Sequence, residues 1–77
     1  MRAGLSETYE QFNRLLIKER RRVGLSQQEV ADRLGRPQTY VSKCERGDRR
    51  MDVVEFLEMA EVIGFDPVAF IKKLSSR

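Results

Sequence analysis

The sequence predicts an all-α fold of five short helices, and three observations support this. Apolar residues recur at helical spacing, and no stretch shows the alternation with period two that marks a strand. Glycines stand at positions 24, 35, 47 and 64, each directly after a helical stretch, where a left-handed residue ends a helix. Motifs typical of helix N-termini precede these stretches. We expect helices at about 8–23, 27–34, 38–46, 53–63 and 67–74.

The helix starts can be assigned from cap residues. Ser26-Gln-Gln-Glu29 is a capping box, in which the serine hydroxyl accepts from the Glu29 amide and the glutamate side chain accepts from the Ser26 amide. Asp52-Val-Val-Glu55 has the same spacing. The expected caps of the last and first helices are Asp66 before Pro67, and Thr8 or alternatively Ser6.

Each helix carries an apolar stripe, and we expect the stripes to share one core because helices this short are not stable alone. The expected inward residues are Phe12, Leu15, Leu16, Val23, Val30, Ala31, Leu34, Val41, Cys44, Val54, Leu57, Pro67, Phe70, Ile71 and Leu74, with Ile17, Ala60 and Ile63 less decided.

Length and composition limit the function classes. The 77 residues allow one domain, 1–77, with an ordered core of about 7–74. No apolar run approaches the ~18 residues that cross a bilayer, and no signal peptide is recognisable. One cysteine and no histidine argue against a disulfide and a structural zinc site. We expect no metal and no cofactor. The single cysteine fits a reducing compartment, so we expect a cytoplasmic protein. Because no residue pair has catalytic spacing, we expect that it is not an enzyme.

Charge is distributed unevenly along the chain. Residues 14–50 hold eleven Arg and Lys against five acids, a net +6, whereas residues 51–77 have a net charge of −2. A basic centre beside an acidic flank indicates a face that binds a polyanion, although a solvated charged surface would show the same composition.

The second and third helices are joined by Gly35-Arg36-Pro37, a spacing typical of a helix-turn-helix. Ala31 is small where the two helices would cross, and Gly35 can adopt the positive φ of the turn. Val41 and Cys44 would attach the second helix of the pair to the core.

These residues resemble the phage-repressor-like helix-turn-helix family of the XRE type, over the stretch "GLSQQEVADRLGRPQTYVSKCERGDRRMDVVEFLEMAEVIGFDP", residues 24–67. The resemblance extends over nearly the whole chain and implies a compact five-helix, lambda-repressor-like domain. It also implies a transcriptional regulator, most often a repressor, that binds palindromic double-stranded operator DNA as a two-fold homodimer. Members of this fold that act as antitoxins suggest an alternative: a protein-interaction module that also binds DNA.

The resemblance and the geometry of the major groove indicate which residues contact DNA. Those expected to contact bases, from the recognition helix at about 38–46, are Gln38, Thr39, Ser42 and Lys43. Those expected to contact the backbone are Gln27, Arg36, Tyr40, Arg46, Arg49 and Arg50. Asp48 would repel phosphate, so we expect it to cap or to pair locally, for example with Arg50. The row Glu55, Glu58 and Glu61 is expected to be a solvated face away from DNA, with a face that binds a partner as the alternative.

Two further expectations concern structure. The family often pairs an arginine of its first helix with a glutamate of its third, and Arg20 and Glu45 match that ion pair. A surplus of apolar residues near the end of the chain suggests a dimer interface formed by Phe65, Pro67, Phe70 and Leu74. The alternative is that Phe65 and Phe70 complete the core.

Overall fold

Five helices follow one another along residues 5–75, the part of the chain that the computed structural model describes. They are α1 (Leu5–Arg22), α2 (Gln27–Leu34), α3 (Gln38–Arg46), α4 (Val53–Ile63) and α5 (Pro67–Ser75). The predicted all-α class is confirmed, and the bounds of α2, α3 and α4 are those expected. Residues 1–4 and 76–77 lie outside the described residues.

The first helix begins earlier than predicted. Because α1 starts at Leu5, both Ser6 and Thr8 lie inside it and neither is its cap. The capping boxes of α2 and α4 are confirmed: the Glu29 amide donates to Ser26 Oγ at 3.0 Å, and the Ser26 amide donates to Glu29 Oε1 at 2.9 Å. In the same way, hydrogen bonds in both directions join Asp52 and Glu55.

Two glycines are required by the backbone around α3. Gly35 has φ +69° and forms the turn between α2 and α3. Gly47, with φ +82°, ends α3 where α1 passes close by, and a Cβ there would lie 2.7 Å from Asn13 Nδ2. Both positions therefore combine a left-handed conformation with a tight connection.

The core lies between all five helices and is centred on Leu16, Val30, Val41, Cys44 and Met59, whose side chains are fully buried. The expected inward residues of α2 and α3 are confirmed, with Leu34 only partly buried. Val23, expected inside, is exposed because α1 ends just before it.

The buried face of α4 differs from the predicted one. Val54 and Leu57 were expected inside, but they are 66% and 48% exposed, and the core instead takes Phe56, Met59, Ala60 and Ile63. Apolar residues surround most of α4, so periodicity did not select a face. Phe56 selects it, because its ring packs against Phe12, Phe65 and Phe70 with centroids 5.1–5.8 Å apart.

This aromatic cluster also determines where the end of the chain packs. Phe65 and Phe70 are buried and lie 5.0 Å apart, so the structure follows the alternative in which they complete the core. Ile71 is exposed, contrary to expectation, and Pro67 and Leu74 are partly exposed. Within residues 5–75, no helix is long and apolar enough to span a membrane.

Candidate nucleic-acid interface

The two helices α2 and α3 are held at a defined angle by the turn and by the core. The Arg36 amide donates to the Ala31 carbonyl at 3.0 Å, which closes the turn after Gly35. Val30, Ala31 and Val41 are fully buried between the helices. The outer face of α3 is therefore presented on a rigid support.

The four residues predicted to contact bases share that outer face. Thr39 and Lys43 are exposed, and Gln38 and Ser42 are half-buried beside them. The spacing of 38, 39, 42 and 43 places them on two successive turns of one side of the helix. The side chains present one amide, two hydroxyls and one ammonium group, which are the donors and acceptors that distinguish base pairs.

A continuous chain of hydrogen bonds leads from α1 to this face. Arg20 donates from Nε to Glu45 Oε2 at 2.6 Å and from a terminal nitrogen to Glu45 Oε1 at 3.1 Å. Gln27 Nε2 donates to the same Glu45 Oε1 at 2.8 Å, and Gln38 Nε2 donates to Gln27 Oε1 at 2.5 Å. We call these four residues the Glu45 hydrogen-bond chain.

The ion pair in this chain is buried. The side chains of Arg20 and Glu45 are 10% and 5% exposed, and Arg20 also donates to the Leu25 carbonyl at 2.8 Å. The structure thus joins the two residues whose pairing the sequence suggested. It adds Gln27 and Gln38, separated by eleven residues, as further members that the sequence pattern did not predict.

The loop after α3 carries the arginines predicted to contact phosphate. Arg46 Nε lies 3.0 Å from Asp48 Oδ2, so Asp48 pairs locally, with Arg46 rather than with Arg50. The guanidinium of Arg50 lies 4.0 Å from the centroid of the Tyr9 ring on α1. Arg46 and Arg50 are both exposed and could reach a polyanion beside α3.

The sequence analysis did not predict that Tyr40 is buried. Its ring is buried and lies close to two guanidinium groups, with Arg36 at 4.5 Å and Arg49 at 4.7 Å from its centroid. Burial raises the pKa of the Tyr40 hydroxyl to about 12, so the hydroxyl stays protonated. Tyr40 therefore makes cation–π contacts with two of the arginines predicted to bind phosphate.

Glu55 is the other residue whose role the sequence analysis missed. It was expected on a solvated face, yet its carboxylate accepts two hydrogen bonds from Arg49, at 3.1 and 2.9 Å. These bonds, with the Asp52 amide, lower the pKa of Glu55 to about 2. Arg36 lies 4.0 Å from Glu55 and 3.8 Å from Glu58. The capping box could have indicated this, since it places the Glu55 carboxylate beside the basic loop.

Cys44 contributes packing beneath this cluster. It is buried, and desolvation raises the pKa of its thiol. A protonated, enclosed thiol behaves as a small apolar side chain.

A rigid helix pair with a polar, basic outer face defines the class of DNA-binding helix-turn-helix proteins. The model of the family described as "Helix-turn-helix domain" matches residues 11–70. The chain is 40% identical over 52 residues to an uncharacterised HTH-type transcriptional regulator of Sinorhizobium fredii, and the match covers 68% of each sequence.

The fold matches a solved structure as well. An XRE-family like protein from Pseudomonas syringae pv. tomato superposes with a TM-score of 0.88 at 44% identity, over 92% of this chain and 87% of that one. The chain therefore belongs to the XRE-type helix-turn-helix family, a family of DNA-binding transcriptional regulators.

Proposed function

We propose that this protein is a sequence-specific transcriptional regulator that inserts α3 into the major groove of double-stranded DNA. The observation that carries the proposal is the outer face of α3, where Gln38, Thr39, Ser42 and Lys43 stand together on a buried support. The groove is about 12 Å wide, admits one helix and presents a distinct pattern for each base pair.

Each of these side chains fits a particular base edge. Gln38 can pair with adenine N6 and N7, and Thr39 can contact a thymine methyl group. Lys43, one turn further along, can donate to guanine O6 and N7. Ser42 lies between them and can donate to or accept from either kind of base.

Contacts to the sugar-phosphate backbone would set the register of the helix. Gln27 opens α2, where free backbone amides and the helix dipole favour an anion. The arginines that flank α3 can bind phosphate on both sides of the groove: Arg36, Arg46, Arg49 and Arg50. Tyr40 contributes by holding two of them.

Two protomers would bind two half-sites about one helical turn, ~34 Å, apart. The surface that supports dimerisation is an apolar groove between α4 and α5, of about 410 Å³. The exposed apolar residues that line it are Val53, Leu57, Val68 and Ile71, together with the partly exposed Pro67. A two-fold pairing of this groove would bury them, and occupation of an operator by the dimer would block transcription in the cytoplasm.

The dimer can be tested with a matched pair of variants. Leu57→Lys places a charge in the groove, and Val23→Lys places the same charge at an exposed valine elsewhere. We expect the first to shift the sedimentation mass to that of a monomer and the second to leave it unchanged. A dimer that survives Leu57→Lys would contradict this interface.

The function itself is tested by selecting bound sequences from a random duplex pool at ~150 mM salt, which suppresses purely electrostatic binding. An enriched palindrome is expected. Gln38→Ala should then abolish the preference at one base pair of each half-site, at a cost of about 1–3 kcal/mol. A folded protein that enriches no sequence would refute sequence-specific binding and favour the protein-interaction alternative.

A further inference from the structure

In each hydrogen bond of the Glu45 hydrogen-bond chain, the chemistry of the side chains fixes which group donates and which accepts. We call this order of donor and acceptor the polarity of the chain. Arginine has only N–H donors and an ionised carboxylate has only acceptors. Arg20 donates to both oxygens of Glu45, so Glu45 faces Gln27 as an acceptor and nothing else.

This polarity fixes the amide of Gln27. Its Nε2 must face Glu45 Oε1, 2.8 Å away, because the opposite orientation would bring the amide oxygen against a carboxylate oxygen. The Gln27 oxygen is consequently directed to Gln38, where it accepts from Nε2 at 2.5 Å.

The orientation of the Gln27 amide in turn determines which groups of Gln38 remain free to contact a base. One amide hydrogen of Gln38 is engaged by Gln27, which leaves one N–H donor and the oxygen acceptor free. Adenine presents one acceptor, N7, and one donor, N6, and so matches this pair. Guanine presents two acceptors, N7 and O6, and would require both hydrogens of the Gln38 amide.

We propose that Glu45 is a specificity-determining positioning residue, which acts through Gln27 to make Gln38 accept adenine and reject guanine. The inference rests on the proposed function and extends it, since Glu45 lies in the interior and does not itself contact a base. Among the described residues, no buried side-chain nitrogen or oxygen lacks a partner, so the buried polar atoms of these four residues are all satisfied in this arrangement.

The test compares two duplexes that differ only at the pair whose preference Gln38→Ala removes, adenine in one and guanine in the other. The measured quantity is the ratio of their Kd values at one salt concentration. For the unmodified protein the ratio should lie between about 5-fold and 150-fold, as for a well-formed bidentate contact. Glu45→Gln should reduce it to within about threefold of unity, because a glutamine there can also donate and allows the Gln27 amide to rotate.

A second variant separates this effect from loss of the buried ion pair. Gln27→Ala interrupts the chain and leaves Arg20 and Glu45 joined, and it should reduce the ratio to the same extent. Ile63→Val, which loosens the core at α4 away from the chain, should leave the ratio unchanged even if it lowers stability.

A measurement without DNA provides an independent readout. Exchange of the Gln38 side-chain amide protons, followed by NMR, should be slow in the unmodified protein and faster in both Gln27→Ala and Glu45→Gln. Unchanged exchange in Gln27→Ala would overturn the inference.

The outcomes distinguish the two proposals. An enriched operator whose adenine-to-guanine ratio is as high in Glu45→Gln and Gln27→Ala as in the unmodified protein overturns the role of Glu45 and leaves the proposed function standing. An equal loss of the ratio in Ile63→Val also overturns it, since any loosening would then suffice. Failure to enrich any sequence refutes the proposed function and this inference with it.

Discussion

Two arginine–glutamate pairs support α3, and they differ in their surroundings. Arg20 and Glu45 join α1 to α3 in the interior, with side chains 10% and 5% exposed. Arg49 and Glu55 join the loop after α3 to the start of α4, with side chains 40% and 15% exposed. Both pairs are made by two hydrogen bonds.

The difference in exposure assigns them different roles. A buried pair has no solvent to replace a lost partner, so it holds one geometry and transmits it to Gln27. The exposed pair is screened by water, and its arginine remains within reach of an incoming anion. We therefore expect a phosphate group to displace Glu55 from Arg49, whereas Glu45 should stay paired with Arg20.

The largest expected effect is on stability. Glu45→Ala leaves the Arg20 charge buried and unpaired, and should lower the free energy of unfolding by about 3–5 kcal/mol. Asp48→Ala removes an ion pair whose two side chains are each 59% exposed, and should cost at most about 1 kcal/mol. Urea denaturation of both variants measures the contrast, and equal losses would contradict the distinction between buried and exposed pairs.

The next effect is on the affinity for DNA when the partly exposed pair of Arg49 and Glu55 is broken. Glu55→Gln keeps the capping box, because glutamine serves equally at that position, but removes the charge that neutralises Arg49 and lies near Arg36. Binding to any duplex should tighten, and the slope of log K against log salt should steepen by about 0.9 for each phosphate newly contacted.

The control for this variant is Glu61→Gln, which makes the same charge change further along α4. It should shift affinity less and leave the slope as it was. Equal slopes in the two variants would show that only net charge matters and that Glu55 is no specific counter-ion.

A change in slope of similar size and opposite sign is expected for an arginine outside both pairs. Arg50 lies over Tyr9 and has no acidic partner among the contacts described, so Arg50→Ala should weaken all duplexes alike and flatten the salt slope by about 1. Arg14→Ala, on an exposed part of α1 beside Lys73, should leave the slope unchanged. Fluorescence anisotropy over a salt series measures both. A base-specific loss in Arg50→Ala would argue against a backbone contact.

The smallest expected effect is on acid stability. The pKa of Glu55 is about 2 in the folded protein against an ordinary value of 4.5, so the unfolded chain takes up the proton first. The contribution of this carboxylate is present above pH 4.5 and is lost as the pH falls towards 2. Glu55→Gln should therefore lose less stability than the unmodified protein between pH 5 and 2. Parallel unfolding curves in the two proteins would contradict this shift.

Local features of the sequence predicted much of the fold. Two kinds of local motif were predicted correctly: the capping boxes at Ser26 and Asp52, and the glycines at 35 and 47. Each acts within one helical turn, so its effect could be predicted without knowing the tertiary contacts. The outer face of α3 was predictable for the same reason, because the buried positions Val41 and Cys44 leave Thr39 and Lys43 exposed, with Gln38 at the edge of that face.

Features that depend on distant residues were not predictable. The burial of Tyr40 requires two arginines, one before α3 and one after it, to close over its ring. The inward face of α4 was wrongly predicted, since valine and leucine are as apolar as the phenylalanine that is actually buried. Nothing in the spacing of Gln27 and Glu45 indicated that they share a hydrogen bond.

The sequence by itself determined where α2, α3 and α4 begin and end, the helix-turn-helix and the set of side chains on its outer face. These depend on backbone dihedrals, caps and helical periodicity, which act over a few residues. The tertiary structure alone decided which apolar residues of α4 and α5 stay exposed, which arginines are neutralised and how the Gln38 amide is oriented. Those properties follow from packing and from hydrogen-bond polarity between segments far apart in the chain, which no local pattern encodes.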